Sequence, residues 1–490
     1  MSKHADAGLT FDDVSLCALY SDFIPDDAVV KSKFSRNIDL NRPFVSAAMD
    51  TVTESNMAIA MALSGGIGVI HRNMSIEKQS EEVKRVKGYL NGLIQNPVVF
   101  EKGILVSDLI KEKEEKQYNF SGFPIVEKGG LLCGIVTSRD IKFLRNFDIP
   151  VEEVMTKELV TSSVGTSLFD AYEKMAKEKI GKLPIVDDGG RLAGLYSFLD
   201  VKSLIQNDEP EINRDKYHKL RVASAVGPND VERIEKLVRA GVDAIVIDTA
   251  HGHTKSVIET VKYMKSKIPE IDIIAGNIAS GDAAKDLLNA GADALKVGIG
   301  PGSICTTRVV TGVGVPQLTS IYEVYKAVGD EIPIIADGGI RHSGDVPEAI
   351  AVAASSVMIG SAFAGTKESP GEKILHQGRT YVVYRGMGSL EAMKVGSGSR
   401  DRYSQAQIDD SDKLVPQGIE GLVQFRGSVS GVIVQFVGGL KFALGYSGAY
   451  TLNELRKKAK FVRVTFAGLR EGHAHDIKIL KDAPNYSPGT

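Results

Sequence analysis

Residues 300–308, GPGSICTTR, put one cysteine, Cys305, on a glycine-rich loop directly after the apolar segment ALKVG. Glycines let backbone approach a ligand closely, and a thiol held there becomes a nucleophile once its thiolate is stabilised. Free cysteines are also among the residues most often buried as inert apolar groups, so spacing alone leaves both readings open. Polar or glycine residues follow several other apolar segments: Asp248 after AIVI, Asn277 after IIAG, Asp337, Gly338 and Gly339 in ADGG, and Gly360 with Ser361 in MIGS. Loops of this kind hold phosphate through backbone N–H groups, although glycines in tight strand-to-helix turns read the same way. The Asp337 carboxylate cannot help a phosphate and is suited to accepting hydrogen bonds from ribose hydroxyls. Further on, TYVVYRGMGSLEAM supplies another glycine turn at Arg385 to Gly388, and VGSGSRDRYSQ carries Arg402 and Tyr403 into a polar stretch that returns at KLVPQGIEG. Gly and Ser flanking a long segment suggest a mobile lid; as a plain surface loop it would be unusually long.

These residues need a scaffold that gathers distant loops at one end. Eight short β-branched segments provide it, beginning at Pro43, Gly65, Arg221, Ala244, Asp272, Ala294, Pro333 and Ser356. Helical patterns intervene, such as DVERIEKLVRAG from Asp230, with apolar residues at helical spacing and a terminating glycine. Eight strand-then-helix units predict a TIM (β/α)8 barrel, whose function sits at the C-terminal ends of its strands.

The barrel is interrupted by an internal repeat. GFPIVEKGGLLCGIVTSRDIK, from Gly122, is echoed by KLPIVDDGGRLAGLYSFLDVK, from Lys182; Pro124 matches Pro184, Gly134 matches Gly194 and Asp140 matches Asp200, always 60 residues apart. Two copies of strand, Gly-Gly turn, strand and helix predict a paired module, because one copy could not bury its apolar face alone. The charge-rich IKEKEEKQ, residues 110–117, reads as a solvated helix face.

At 490 residues the chain accommodates one large barrel and an extra module. A net charge of −3 with no dominant basic block does not call for a nucleic-acid surface. The three cysteines, Cys17, Cys133 and Cys305, are too far apart for a disulfide framework or a CxxC metal site, which points to a reducing, cytoplasmic compartment. The N-terminus lacks the apolar core of a signal peptide, no apolar run of bilayer length is evident, and the HGH and GHAHD segments match no zinc spacing.

The repeat resembles a tandem cystathionine-β-synthase-type (CBS) domain over residues 96–208. In that family the Asp closing each T-x-R-D-like motif holds an adenosine ribose, which implies regulatory nucleotide contacts at Thr137, Arg139 and Asp140 and, with only the Asp retained, at Asp200. A pair of folding units without ligand is the alternative. The whole chain resembles the inosine-5′-monophosphate (IMP) dehydrogenase family through LTFDDV, SAAMDTVTE, GGIGVIH, GPGSICTTR, ADGGI, YRGMGS, the Arg402–Tyr403 lid and KLVPQGIEG, all in family order. The implied layout is a barrel over residues 1–95 and 209–490, the CBS pair at 96–208, and a lid near 391–420.

The resemblance implies a reaction as well. Cys305 adds to purine C2 of IMP, hydride leaves for NAD, and Arg402, assisted by Tyr403, activates water to release xanthosine 5′-monophosphate, with Thr307 beside the cysteine. It further implies that Met49, Ser303, Asp337, Gly338, Gly339, Gly360, Ser361, Tyr384, Arg385, Gly386, Met387, Gly388 and Gln417 hold the nucleotide. Asp248, Asn277, Gly298, Ile299 and Gly300 would meet NAD. Carbonyls of Gly300, Gly302 and Cys305, with Glu471, Gly472 and His473 of a neighbouring subunit, would hold K⁺ in a homotetramer, or an octamer, with ATP or GTP at the CBS pair. One departure is Gln417 in VPQG, where many bacterial relatives carry Glu. An amide cannot accept a proton as a carboxylate does, so a second proton route through Thr307 is weakened. Guanosine monophosphate reductase shares the barrel and the cysteine loop; the lid and Gln417 argue against it, and the intact Cys305, Thr307, Arg402 and Tyr403 argue against a non-catalytic nucleotide sensor.

Overall fold

Eight parallel strands close into a barrel in a computed structural model that describes residues 7–89, 93–94, 97–116, 122–206, 211–408, 410–480 and 483–486. They are β1 (Phe44–Ser46), β2 (Ile67–Ile70), β3 (Ala223–Val226), β4 (Ala244–Asp248), β5 (Asp272–Ile278), β6 (Ala294–Val297), β7 (Ile334–Asp337) and β8 (Ser356–Ile359). β8 pairs with β1, Val357 opposite Phe44, which removes every sheet edge. Each expected strand segment is therefore a barrel stave. The staves read as continuous apolar runs because both faces are covered, inward by one another and outward by helices; all seven residues of β5 are buried.

Seven helices return the chain between staves: α1 (Ser55–Leu63), α2 (Ile76–Gly88), α3 (Val231–Arg239), α4 (Lys255–Lys267), α5 (Gly281–Ala290), α6 (Gln317–Val328) and α7 (Asp345–Val352). Their ends follow local chemistry. The Ser280 hydroxyl accepts the Ala283 N–H at the start of α5, and Gly291 ends it at φ +98°, a left-handed position that a side chain would strain. An eighth helix, α8 (Val429–Tyr446), packs against α1 and α7 and completes the ring. It is long and apolar enough to span a bilayer, a run that the sequence reading passed over. Val429, Ile433, Phe436, Leu440 and Leu444 lie on one stripe buried in the barrel's core.

The chain forms two compact units, one of Met1–Lys87, Pro210–Arg214 and Leu220–Thr490, the other of Gly88–Glu209 and Asp215–Lys219. The expected bounds of the inserted module, at 95, 96, 208 and 209, lie outside the described residues. Within the second unit the repeat is literal. Strands Gly122–Val126 and Leu132–Thr137 pair with a register shift at Ile125/Val126, and Lys182–Val186 and Leu192–Ser197 repeat it at Ile185/Val186. The two hairpin tips then pair with each other: the Leu132 N–H donates to the Gly190 carbonyl and the Leu192 N–H to the Gly130 carbonyl. Residues 110–115 of the charged segment lie on helix Val106–Glu115, which buries Val106 and Leu109 and pairs Lys111 with Glu115 on its exposed side.

Candidate active site

Beside the barrel, strands Lys373–His376, Arg379–Arg385 and Glu420–Gln424 form an antiparallel sheet with Arg385 opposite Glu420. The sheet delivers two segments to the loop after β6. The Ile419 N–H donates to the Ile304 carbonyl and the Thr306 N–H to the Gln417 carbonyl, so the return of the lid binds the cysteine loop on both sides of Cys305. The Gln417 N–H donates in turn to the Gly388 carbonyl, and the Gly386 N–H to the Ile419 carbonyl. Three sequence-distant glycine turns are thus stitched around one thiol.

The resulting pocket opens at the C-terminal ends of the staves. Met49, Asp248, Asn277, Gly298, Ile299, Gly300, Gly302, Cys305, Thr307, Asp337, Gly338, Gly360, Tyr384, Gly386, Met387, Arg402, Tyr403 and Gln417 all line it. Cys305 Sγ donates to Thr307 Oγ1 at 3.1 Å. Neither Cys17 nor Cys133 lines the pocket, and the Cys133 thiol donates to the Ile125 carbonyl. Glycine is required at two rim positions. A side chain at Gly360 would lie 2.5 Å from Tyr384 Oη, and one at Gly338, at φ +92°, 3.0 Å from Pro301. Burial pushes the Tyr384 phenol well above its ordinary pKa, with Asp337 and Cys305 adding to the effect, so it stays a neutral donor beside Met49 Sδ at 3.7 Å.

Across the floor runs a charged network. Lys296, near the end of β6 and only 1% exposed, places Nζ 2.8 Å from Asp248 Oδ1 and 2.6 Å from Asp337 Oδ2, and also donates to Asn277 Oδ1. Asn277 Nδ2 donates to Asp337 Oδ2 at 2.8 Å and to the Gly298 carbonyl at 2.7 Å. The other oxygen of Asp248 pairs with Arg402. A buried carboxylate such as Asp248 is costly unless a cation satisfies it; Lys296 serves both it and the half-buried Asp337 and fixes their orientation.

The lid is more ordered than its composition suggests. Helices Leu390–Val395 and Ser397–Arg402 fill its first half, and the Gln405 side chain closes its base by pairing with both backbone groups of Val415, at 2.8 and 2.9 Å. Its glycines act as points of close approach rather than as simple hinges. A side chain at Gly396 would fall 2.5 Å from Asn73 Oδ1, and one at Gly398 2.6 Å from the Arg72 carbonyl. Burial lowers the pKa of the Arg402 guanidinium, opposed by Tyr403 and reinforced by Arg72. Burial raises that of Tyr403, opposed by Arg402.

Some expected residues lie elsewhere. Arg385 turns its guanidinium to Asp50, with Nε–Oδ1 at 3.1 Å and Nη2–Oδ2 at 2.8 Å, because a buried carboxylate there demands a fork-shaped partner. Ser303, Gly339, Ser361 and Gly388 are adjacent to lining residues but are not part of the pocket wall. Glu471, Gly472 and His473 finish an exposed helical turn in which His473 packs on His342 and Tyr486. In the other unit, Thr137 and Asp140 close a capping box on helix Ser138–Ile141, so the Asp140 carboxylate already accepts the Thr137 N–H at 2.6 Å; Arg139 follows the cap, and Asp200 lies in the first turn of helix Phe198–Gln206. Lys296, Asp50 and Arg72 escaped the sequence reading. A lone lysine inside the apolar run ALKV was the available signal for Lys296, since an unpaired charge is not buried on a barrel stave.

Comparison with known proteins agrees with this geometry. Residues 8–475 match the model of the IMP dehydrogenase / GMP reductase domain. The chain belongs to that family. It is 50% identical over 99% of both chains to the inosine-5′-monophosphate dehydrogenase of Aquifex aeolicus (strain VF5), and 49% identical, again over 99% of both chains, to that of Bacillus subtilis (strain 168). Among solved structures, a cysteine-to-alanine variant of GMP reductase from Trypanosoma brucei, in complex with guanosine 5′-monophosphate, matches with a TM-score of 0.80 at 36% identity, covering 97% of this chain and 99% of that one. The family's name joins an oxidation and a reduction run on one scaffold, so direction is decided by the pocket.

Proposed function

We propose that this chain is an IMP dehydrogenase, oxidising IMP to xanthosine 5′-monophosphate with NAD through a covalent adduct on Cys305. The observation that carries the reading is the pocket itself: a thiol with Thr307 Oγ1 at 3.1 Å, a ribose-suited carboxylate at Asp337, and a lid that brings Arg402 and Tyr403 to the same wall. Full-length identity of 49–50% to named dehydrogenases, against 36% to the reductase, weighs the same way.

In the mechanism, Sγ of Cys305 bonds to purine C2, its proton passing to solvent, directly or relayed through the Thr307 hydroxyl. Met49, Gly338, Gly360, Tyr384, Gly386 and Met387 shape the nucleotide's seat, while Lys296 and Asn277 fix Asp337 for the ribose. NAD, held by Asp248 and Gly298 to Gly300, supplies the acceptor for the hydride that leaves C2. These residues fit it: the β6 loop is glycine where a Cβ would strike the Asp337 carbonyl, and the Asp248 carboxylate faces the pocket. Arg402 and Tyr403 then occupy Asp248 in their turn and take a proton from water attacking C2, so that the C–S bond breaks and the thiolate returns. Covalent catalysis divides one hard oxidation into two easier steps with a closure between them. Burial of the Arg402 guanidinium favours the neutral form that a base of this kind needs, while its Asp248 partner favours the charged one; an exposed arginine would stay protonated.

Carbonyls of Gly300, Gly302 and Cys305, with Glu471, Gly472 and His473 of a neighbouring subunit, form an oxygen-rich donor set suited to K⁺, which would stiffen the cysteine loop. The C-terminal segment leaves apolar side chains uncovered, with Leu480 100% and Phe466 84% exposed, and this supports a homotetramer. The repeated unit, residues 96–208, is read as a CBS pair binding ATP or GTP near Thr137, Arg139, Asp140 and Asp200. Three unpaired thiols are in keeping with a cytoplasmic enzyme. Mixing the protein with IMP and NAD, and separately with guanosine monophosphate and reduced dinucleotide, while recording dinucleotide absorbance, tests the direction. NADH formation in the first mixture alone is expected; consumption in the second alone would make the chain a reductase.

A further inference from the structure

The end of β2 carries a charge that the proposed reaction does not use. Arg72 is 4% exposed, and its neighbours His71 and Asn73 are buried with it. Its Nη1 pairs with Asp401 Oδ2 on the last turn of the lid helix, and its Nη2 donates to the Asp248 carbonyl at 3.4 Å. Chain space is kept clear for the pair: a side chain at Gly227 would lie 2.6 Å from Asp401 Oδ2. Asn73 adds backbone contacts beside it, accepting the Ser399 N–H at 3.2 Å and donating to the Ala392 carbonyl at 3.1 Å.

Asp401 precedes Arg402, so whatever holds Asp401 fixes the base of the Arg402 side chain. A guanidinium buried two residues past the end of β2 is a fixed point, while Asp401, 43% exposed, belongs to the part that must move. We propose that Arg72 is a positioning residue, a latch that grips Asp401 and thereby seats Arg402 against Asp248 in the closed lid. Its placement between Asp401 and the Asp248 backbone ties the lid to the stave that ends in the carboxylate Arg402 engages. Arg72 needs no contact with the nucleotide to act; it sets the fraction of time the lid is closed. The consequence for catalysis rests on the reading of Arg402 as the group that activates water.

The test compares full-length wild type, Arg72→Gln, Arg72→Lys, Asp401→Asn and the Arg72→Gln/Asp401→Asn double variant. Hydrogen exchange of backbone amides over residues 397–404 is followed without nucleotide, alongside rapid mixing with IMP and NAD. Removing one partner of a charge-assisted contact that is part-exposed should speed lid exchange about three- to tenfold. The double variant should be no faster than the singles, because both remove one interaction, and Arg72→Lys should restore most of the protection. The NADH burst should keep its amplitude while steady turnover falls by a similar factor. Wild-type exchange in either single variant, additive effects in the double, or a lost burst with an undisturbed lid would overturn the latch. Should wild type give no burst at all, the dehydrogenase reading fails, and the exchange data still decide whether the latch exists.

Discussion

Arg402 and Asp248 form an ion pair inside the pocket, with Lys296 on the second carboxylate oxygen at 2.8 Å. Under the proposed function, Asp248 would hold the ribose beside the reacting nicotinamide, and Arg402 would activate the water that follows. One carboxylate therefore cannot serve both at once. Lid closure and dinucleotide binding compete for it, which orders the two chemical steps in time without any further device. Lys296 orients Asp248 in either state and shares its charge with Arg402.

Gln417 lines the pocket while its backbone clamps both the cysteine loop and the Gly388 turn. Its side chain can therefore be changed with little effect on architecture. Gln417→Glu introduces an acceptor on the wall shared with Thr307, and in an Arg402→Ala background it should raise steady turnover severalfold, more at high pH than at low, because only the carboxylate form accepts a proton. The check is a pH series of steady-state rates for the single and double variants. No gain at any pH would mean that Thr307 offers no second proton route.

Glu348, on α7, is half-buried with its Oε2 buried and lacking a hydrogen-bond partner, and desolvation, with Asp345 and Asp12 nearby, raises its pKa to about 9. The folded state then binds a proton that the unfolded state has released, so this group's contribution is fully present below about 4.5 and is lost as pH rises through about 9. Glu348→Gln keeps the neutral shape. Relative to wild type it should gain stability on the order of 1–2 kcal/mol at alkaline pH and almost none near pH 4, read from urea midpoints across pH. Parallel curves for the two proteins would show that Glu348 ionises freely in the fold.

Removing about residues 96–208 with a short linker should leave turnover intact, because every residue proposed for chemistry belongs to the other unit, and should abolish any response to ATP or GTP. Coupling of about 1–3 kcal/mol would alter apparent substrate affinity severalfold or more. Asp140→Ala should blunt that response more than Asp200→Ala. It also opens the cap on helix Ser138–Ile141, at about 1 kcal/mol, so thermal unfolding is measured beside the nucleotide titrations. Equal, undiminished responses in both variants would free these carboxylates of a regulatory role.

The barrel was readable because its signals are local: eight apolar staves, six of them reaching Asp, Asn or Gly at their ends, with helices between them. The repeat was readable from a constant 60-residue offset, and its matching registers follow from it. What sequence could not provide was the pairing of charges across hundreds of residues. Arg385 is expected among the residues that hold the nucleotide, but Asp50 takes its guanidinium, and Arg72 and Asp401, 329 positions apart, meet only once the lid lies beside the end of β2. The glycines of the lid were read as hinges because flexibility is their commonest use; the neighbours they approach belong to another part of the chain. The apolar length of α8 went unnoticed because its glycines, Gln435 and Lys441 break the run.

The central claim, a covalent adduct on Cys305 resolved by the lid, is tested most directly with Arg402→Ala. The variant is mixed rapidly with IMP and NAD, NADH absorbance is followed, and the reaction is quenched for mass analysis of the peptide containing Cys305. The account predicts a burst of about one NADH per pocket, very slow turnover afterwards, and a purine nucleotide attached to Cys305, with neither burst nor adduct in Cys305→Ala although that variant still binds IMP. A burst without an attached nucleotide, or turnover that survives the loss of Cys305, would contradict it.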